Sequence, residues 1–111
     1  MTAPMTTPAT EPGPAEATPR SYAGIARVLD YSGWLIDVGK GQFTVDDEST
    51  GAWSGTISVY QGSSLDSKVL TGLVELADGR RSRATVGPRA ATLDDDLVSV
   101  KVRGIDGVIP F

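Results

Sequence analysis

The side chains that most often carry enzymatic chemistry are missing from this sequence of 111 residues. It contains no cysteine and no histidine, which excludes disulfides, thiolate chemistry and the commonest general base near neutral pH. A serine nucleophile then needs a lysine as its base, and the adjacent pair is Ser67 and Lys68. Neighbouring side chains on a strand point to opposite faces, so this pair predicts no catalytic site. We therefore expect a protein that is not an enzyme and uses no cofactor.

Two acidic runs, Asp46–Glu48 and Asp94–Asp96, are the candidate ligands for a hard cation. Calcium takes six to eight oxygen ligands, which loop carboxylates can supply. Neither run has the alternating spacing around a central glycine that marks a calcium loop. We favour solvated turns between strands and predict no metal site. A pair of glycosidase carboxylates is an alternative that the sequence does not locate, because that chemistry depends on a spatial separation.

Three arginines, Arg80, Arg81 and Arg83, form the candidate partner-binding site, with Arg89 just beyond. They cluster at the tip of a predicted hairpin, and two of them alternate with inward-facing residues, so they point outward. Such a patch can bind phosphate or an acidic partner. The alternative, which the sequence favours, is a solvated edge strand whose charges prevent pairing with another chain.

The two tryptophans, Trp34 and Trp53, are the candidate lining of a ligand pocket. Each alternates with apolar neighbours along a predicted strand, and large aromatic side chains dominate the cores of small β domains. Core packing is therefore the favoured interpretation for both. A pocket for a small ligand, lined by one of them, is the alternative.

The elements that must position these residues are short β-strands. Apolar runs broken by glycine and aspartate predict strands over residues 24–29, 34–38, 42–46, 52–60, 69–76, 81–86 and 97–103. Gly39-Lys40-Gly41 is predicted to be a turn, and Gly87-Pro88 is predicted to end the strand before it. No stretch has a sustained helical period. Six or seven short strands predict an all-β fold, a small antiparallel barrel or sandwich.

The clearest local signal is Asp78-Gly79, which lies between two apolar runs. Asp-Gly supplies the positive φ angles of a tight primed turn, so these residues predict a β-hairpin. The last predicted strand alternates valines with polar residues. Its valines are expected to face inward, and Ser99, Lys101 and Arg103 are expected to face outward.

Residues 1–20 differ from the rest, because 14 of these 20 residues are alanine, threonine or proline. This composition predicts a disordered tail over residues 1–20 and one β domain over residues 21–111. An arm that becomes ordered only against a partner is the alternative. No apolar run approaches the roughly 20 residues of a membrane span, and no signal peptide is visible. The net charge of −4 argues against nucleic acid as the main partner.

Three short motifs suggest a family. They are W-S-G-T-I at residues 53–57, L-A-D-G-R at residues 76–80, and V-K-V-R-G at residues 100–104 before the Pro110-Phe111 ending. Together they resemble a loose group of small uncharacterised β-barrel domains of actinobacteria and their phages. The chain differs by a single glycine before its Val-Ile-Pro-Phe ending and by the acidic insert at residues 94–96. The resemblance implies a fold and transfers no catalytic residue.

These observations predict a non-catalytic binding or structural module. A phage virion or assembly protein is one concrete form, and a free-standing regulatory binder is another. We expect a protein partner or a homo-oligomer, no nucleic acid and no membrane, in the cytoplasm or, if the protein is phage-derived, in the virion. The alternative is a small-ligand-binding β-barrel that acts as an accessory to an enzyme encoded elsewhere.

Overall fold

Six antiparallel strands form a closed barrel in the computed structural model, which describes residues 20–111. The strands are β1 (Ser21–Leu29), β2 (Leu35–Asp47), β3 (Ala52–Tyr60), β4 (Leu70–Leu76), β5 (Arg81–Thr92) and β6 (Leu97–Gly104). Their order around the barrel is β1-β2-β3-β6-β5-β4. The predicted all-β class is confirmed, with no helix within these residues. Most of the predicted tail, residues 1–19, lies outside the described part of the chain.

Three connections meet at one end of the barrel: residues 30–34, 61–69 and 93–96. Two of them join strands that are neighbours in the barrel. The third, residues 61–69, joins β3 to β4, which are not neighbours, and therefore crosses the mouth of the barrel. The opposite end holds the connections 48–51 and 77–80 and the segment after β6.

The barrel interior is filled by apolar side chains at alternate strand positions, as a sheet closed on itself requires. In β6 the predicted alternation is largely confirmed, since all three of its valines are buried and Lys101 and Arg103 are exposed. Ser99 is the exception: it is only 8% exposed, with Ser58 of β3 and Ala91 of β5 opposite it. The core consists of Ala26, Val28, Phe43, Trp53, Ile57, Val59, Leu65, Val74, Leu76, Ala84, Val86, Val98, Val100 and Val102.

The second strand is a single element of 13 residues, so the predicted turn at residues 39–41 is wrong. Its glycines allow close approach of neighbouring strands rather than a reversal of the chain. A Cβ on Gly39 would lie 2.0 Å from the carbonyl oxygen of Ser58, and one on Gly41 would lie 2.8 Å from the Phe43 ring. At Lys40, between these glycines, β2 pairs with β1 on one side and β3 on the other.

The predicted hairpin between β4 and β5 is confirmed. Gly79 has a φ of 91°, and its N–H donates to the Leu76 carbonyl at 2.9 Å while the Leu76 N–H donates to the Arg80 carbonyl at 2.8 Å. These bonds enclose a loop of residues 77–79, so the turn is longer than the two-residue primed turn that the sequence predicted. A turn followed by glycine at positive φ is the next most common hairpin connection.

The fifth strand continues through Gly87-Pro88 to Thr92, so the predicted end at Gly87-Pro88 is wrong. Its register against β6 shifts between Val86 and Arg89 and again between Arg89 and Ala91, which is how bulges absorb extra residues. β5 pairs with β4 on one side and with β6 on the other. It is therefore not a sheet edge, and edge protection does not explain its arginines.

Trp53 anchors the opposite end of the barrel and is fully buried, as predicted. Its indole Nε1 donates to the Val108 carbonyl at 3.0 Å, which holds the C-terminal segment across the barrel mouth. Its ring packs edge-on against Phe43 and Phe111, at centroid distances of 5.1 and 6.0 Å. A Cβ on Gly104 would lie 2.1 Å from the same Nε1, so glycine leaves room for the indole.

Candidate functional site

The end of the barrel that is formed by connections 30–34, 61–69 and 93–96 concentrates exposed apolar side chains. Among residues 20–111, ten large apolar side chains are exposed, and six of them lie in or beside these connections. Exposed apolar side chains gathered in one region mark interaction sites on soluble proteins. We call these six the apolar end surface: Tyr31, Trp34, Leu35, Tyr60, Val69 and Leu93.

Trp34 is held in place by the turn between β1 and β2. The Asp30 Oδ1 accepts hydrogen bonds from the backbone N–H of Ser32 at 2.9 Å, from the Ser32 hydroxyl at 2.6 Å and from the backbone N–H of Trp34 at 3.0 Å. These bonds lower the pKa of Asp30, the Ser32 hydroxyl contributing most. The tryptophan backbone is thereby fixed while its side chain is 75% exposed.

The crossing segment 61–69 is anchored at three points. Leu65 is fully buried in the core and closes the barrel mouth from within. The Ser63 hydroxyl donates to the Asp37 carboxylate of β2. Asp66 accepts two hydrogen bonds from the Arg89 guanidinium of β5, at 2.7 and 2.8 Å. These contacts fix the position of segment 61–69, which lies beside the exposed side chains of the apolar end surface.

The ion pair between Asp66 and Arg89 is the most enclosed one among residues 20–111, with the Asp66 side chain only 8% exposed. The hydrogen bonds from Arg89 lower the pKa of the Asp66 carboxyl, and they raise the pKa of the guanidinium in turn. A further bond from the Gly62 N–H, at 3.2 Å, holds the same carboxylate. Charge-assisted hydrogen bonds of this kind fix the orientation of segment 61–69 relative to β5.

Carboxylates border the apolar end surface. The three connections contain five aspartates and one lysine, Lys68. Asp94 Oδ1 accepts hydrogen bonds from the N–H groups of Asp96 and Leu97, at 2.8 and 2.9 Å, which fixes the loop before β6. Asp95 and Asp96 are exposed and form no salt bridge with any residue from 20 to 111. This end of the barrel therefore combines apolar contact area with negative charge.

An apolar groove of about 360 Å³ continues from Tyr60 along the outer wall of the barrel. Ile25, Val38 and Leu97 line it together with the Tyr60 ring. Ile25 and Val38 are 49% and 43% exposed. The groove extends the apolar contact area from the barrel end onto β1, β2 and β3.

The three predicted partner-binding arginines each have a partner within the chain. Arg80 contacts Asp78 at 2.7 Å, and Arg81 contacts Glu75 at 2.7 Å. The Arg83 guanidinium lies over the Tyr31 ring, 5.3 Å from its centroid. Arg81 and Arg83 face outward as predicted, and Arg80 is exposed as well. Their role in binding a partner remains a prediction, but these internal contacts leave less of their charge available to one.

The two tryptophans are not brought together. Trp53 is fully buried at the opposite end of the barrel, whereas Trp34 lies in the apolar end surface. The prediction that Trp34 packs in the core is wrong. β2 begins one residue later, at Leu35, and the hydrogen bonds to Asp30 place the Trp34 backbone in the turn.

The acidic run at residues 46–48 includes the last two residues of β2 and organises the turn that follows the strand. Asp47 Oδ1 accepts hydrogen bonds from the N–H of Ser49 at 2.9 Å and from its hydroxyl at 2.7 Å, and the hydroxyl contributes most to the lowered pKa of Asp47. Asp46 accepts a hydrogen bond from the Ser54 hydroxyl at 2.7 Å. Residues 20–111 contain no group of three or more acidic side chains arranged to hold a metal ion.

Comparison with known proteins adds no relative. No family model matches the chain, and no curated protein and no solved structure is significantly similar to it. Within the described part of the chain, no helix has the length and apolar character needed to cross a bilayer.

Sequence reasoning missed the features that build this surface. Leu65 is an isolated apolar residue in a mostly polar loop, so the sequence around it shows no hydrophobic periodicity. Asp66 and Arg89 are 23 residues apart, and nothing local to either one indicates the other. The one usable signal was Asp30-x-Ser32, since aspartate followed two residues later by serine is typical of side-chain-capped turns.

Proposed function

We propose that this protein is a non-catalytic binding module that attaches to a partner protein through the apolar end surface. The observation that carries the proposal is the exposure of Trp34 and Tyr60, at 75% and 73%, on one end of a rigid barrel. Tryptophan and tyrosine are the side chains most enriched among the residues that dominate binding energies. The exposure of both Trp34 and Tyr60 on one surface supports their burial in a complex.

The construction of the surface favours tight contact. Association loses free energy when flexible side chains and loops must be ordered. The hydrogen bonds to Asp30 already fix the backbone at Trp34, and the buried Leu65 already fixes the crossing segment. Little ordering of the backbone at these positions is left to the moment of binding.

The acidic border indicates the chemistry of the partner. Four aspartates of the three connections, Asp30 and Asp94–Asp96, form no salt bridge with any residue from 20 to 111, and they attract a surface that is apolar with a basic rim. In an end-to-end contact between two copies of this chain, the same excess of carboxylates would lie on both sides of the interface, and these like charges would repel. We therefore propose a different protein as the partner, and self-association is an outcome that the experiment below distinguishes.

The resemblance to small barrels of actinobacteria and their phages suggests where such a partner is found. One concrete form of the proposal is a component of a phage particle or of its assembly, with a neighbouring virion protein as the partner. A free-standing regulatory binder is the other form. The protein then acts in the virion or in the cytoplasm.

A second candidate function is a small-ligand-binding barrel that assists an enzyme encoded elsewhere. The observation that favours it is the groove lined by Ile25, Val38, Tyr60 and Leu97. Its volume of about 360 Å³ is within the range of small-molecule sites. An apolar ligand would then bind on the outer wall, because Trp53 and its aromatic neighbours fill the interior at the opposite end.

The experiment compares the full-length protein with two double variants. Trp34→Ala/Tyr60→Ala removes the two most exposed aromatic side chains, and Ile105→Ala/Val108→Ala removes two exposed apolar side chains near the opposite end, which are 46% and 51% exposed. Each protein is used for affinity capture from an extract of its native cells, and the captured proteins are identified by mass spectrometry. Light scattering gives the oligomeric state of each protein alone.

We expect a monomer in solution, and one protein that is captured by the wild type and by the opposite-end variant but not by Trp34→Ala/Tyr60→Ala. Equal capture by all three proteins would contradict the proposal. If the wild type is a dimer and only the Trp34→Ala/Tyr60→Ala substitutions dissociate it, the partner is a second copy of the chain. Loss of a co-purifying apolar small molecule, without loss of any protein, would favour the ligand-binding barrel.

A further inference from the structure

A different surface lies on the outer wall of the barrel, where β3, β6 and β5 run side by side. It is an open groove of about 430 Å³. Two cationic side chains of β6 lie along it, and hydroxyl side chains of β3 and β5 flank them. We call it the basic groove, defined by Ser54, Thr56, Thr85, Lys101 and Arg103. It shares no residue with the apolar end surface.

The two cations of the basic groove form no ion pair with any residue from 20 to 111. Lys101 and Arg103 are two residues apart on one strand and therefore face the same way, and both are exposed. Neither forms a salt bridge with any residue from 20 to 111, whereas Arg81 and Arg89 do. Two positive charges without an ion-pair partner thus lie side by side on a chain whose net charge is −4. The nearby carboxylate is that of Asp46, which is held by the Ser54 hydroxyl opposite Arg103.

Hydroxyl groups stand directly beside these cations. Thr56 pairs with Lys101 across β3 and β6, and Thr85 pairs with Arg103 across β5 and β6. Ser54 is already engaged, since its hydroxyl donates to Asp46 at 2.7 Å. The hydroxyls of Thr56 and Thr85 make no hydrogen bond to any residue of the described barrel. They are available as donors to a ligand in the groove.

We propose that the basic groove binds a small phosphate-bearing ligand. The Lys101 ammonium and the Arg103 guanidinium contact the phosphoryl oxygens, and the hydroxyls of Thr56 and Thr85 donate hydrogen bonds to them. A phosphate monoester carries about −1.5 to −2 charge at pH 7, which matches two cations better than a single carboxylate does. The guanidinium fork fits phosphate oxygens in pairs. The groove volume is in the range of small-molecule sites.

A nucleic acid is a weaker fit to the same groove. Polymer binding neutralises many phosphates along a track of basic side chains. Within the described part of the chain, Lys101 and Arg103 are the only basic side chains that line the groove. The chemistry therefore matches one phosphate group on a small molecule.

The test is a titration of the full-length, isotope-labelled protein with inorganic phosphate, followed by amide chemical shifts at constant ionic strength. A parallel titration with acetate supplies a monocarboxylate. In the wild type we expect saturable shifts at Thr56, Thr85, Lys101 and Arg103 with phosphate and weaker affinity for acetate. Lys101→Gln/Arg103→Gln should weaken phosphate binding at least about tenfold, because two charge-assisted contacts are lost.

The matched control is Arg27→Gln/Lys40→Gln, which removes two cations of β1 and β2 that lie outside the groove and thus the same net charge. This variant should bind phosphate within about twofold of the wild type. Thr56→Val removes only a hydroxyl and should weaken phosphate binding a few-fold, so the proposal remains testable if the double variant misfolds. Equal weakening by the control, equal affinity for acetate and phosphate, or shifts that do not saturate would each overturn the proposal. If a short oligonucleotide binds tightly and phosphate shows no saturable binding, the ligand of the groove is a nucleic acid and not a small molecule.

Discussion

Replacing Leu65 with alanine tests whether the crossing segment is part of the core. Leu65 is fully buried at the mouth of the barrel, within a mostly polar connection. Burying a leucine side chain contributes about 1.5–3 kcal/mol, and the cavity left by alanine adds to the loss. We therefore expect Leu65→Ala to lower the free energy of unfolding by about 3 kcal/mol. For a domain of this size, that loss corresponds to a fall in Tm of about 12–24 °C.

The assay is thermal unfolding, followed by circular dichroism and by tryptophan fluorescence, which changes mainly through Trp53 because Trp34 is already exposed in the folded protein. The matched control is Leu93→Ala, the same chemical change at a side chain that is 52% exposed. Exposed truncations usually change stability by less than about 0.5 kcal/mol, so this variant should unfold within a few degrees of the wild type. Equal midpoints for the two variants would refute the anchoring of segment 61–69 by Leu65.

Three further outcomes follow from single contacts. Gly39→Ala should destabilise the barrel far more than Gly24→Ala, because its Cβ would lie 2.0 Å from the Ser58 carbonyl oxygen, whereas the nearest atom at Gly24 is the Tyr22 hydroxyl oxygen at 3.0 Å. Equal urea midpoints for the two variants would contradict the close packing of Gly39 against β3. Gly79→Val should cost about 1–3 kcal/mol through strain at a φ of 91°, and an unchanged Tm would contradict the hairpin geometry. The pKa of Asp66 is lowered in the folded state, so its carboxylate stabilises the fold above the unfolded pKa of about 4, and this contribution is lost as the pH falls through the folded pKa. The stability difference between the wild type and Asp66→Asn should therefore shrink steadily below about pH 4. A constant difference from pH 7 to 2 would show that the ion pair contributes nothing to acid unfolding.

The parts of the fold that the sequence predicted correctly are those specified by neighbouring residues. Alternating valines define β6, and Asp78-Gly79 defines the hairpin between β4 and β5, because strand period and turn conformation are local properties. The closed barrel could not be distinguished from a sandwich, since closure depends on the pairing of β1 with β4, whose residues Leu29 and Leu73 are far apart in sequence.

The errors occurred where contacts with other residues, most of them distant in sequence, override the local pattern. Gly39-Lys40-Gly41 has the composition of a turn, yet its glycines make room for Ser58 and for the Phe43 ring. Trp34 fits the alternation of the strand that follows it, yet hydrogen bonds to Asp30 place it in a turn. The candidate surface was hidden for the same reason, because three connections far apart in sequence meet only in the folded barrel.

The central claim is that the apolar end surface binds a partner protein, and the dissociation constant of that complex tests it most directly. The captured partner is purified and titrated by calorimetry into the wild type, Trp34→Ala/Tyr60→Ala and Ile105→Ala/Val108→Ala. Losing a buried aromatic hot spot costs at least about 2 kcal/mol, so we expect the Kd to rise at least about 30-fold in the first variant. The opposite-end variant should retain the wild-type Kd. A Kd that is unchanged in Trp34→Ala/Tyr60→Ala, or raised equally in both variants, would contradict the proposed function.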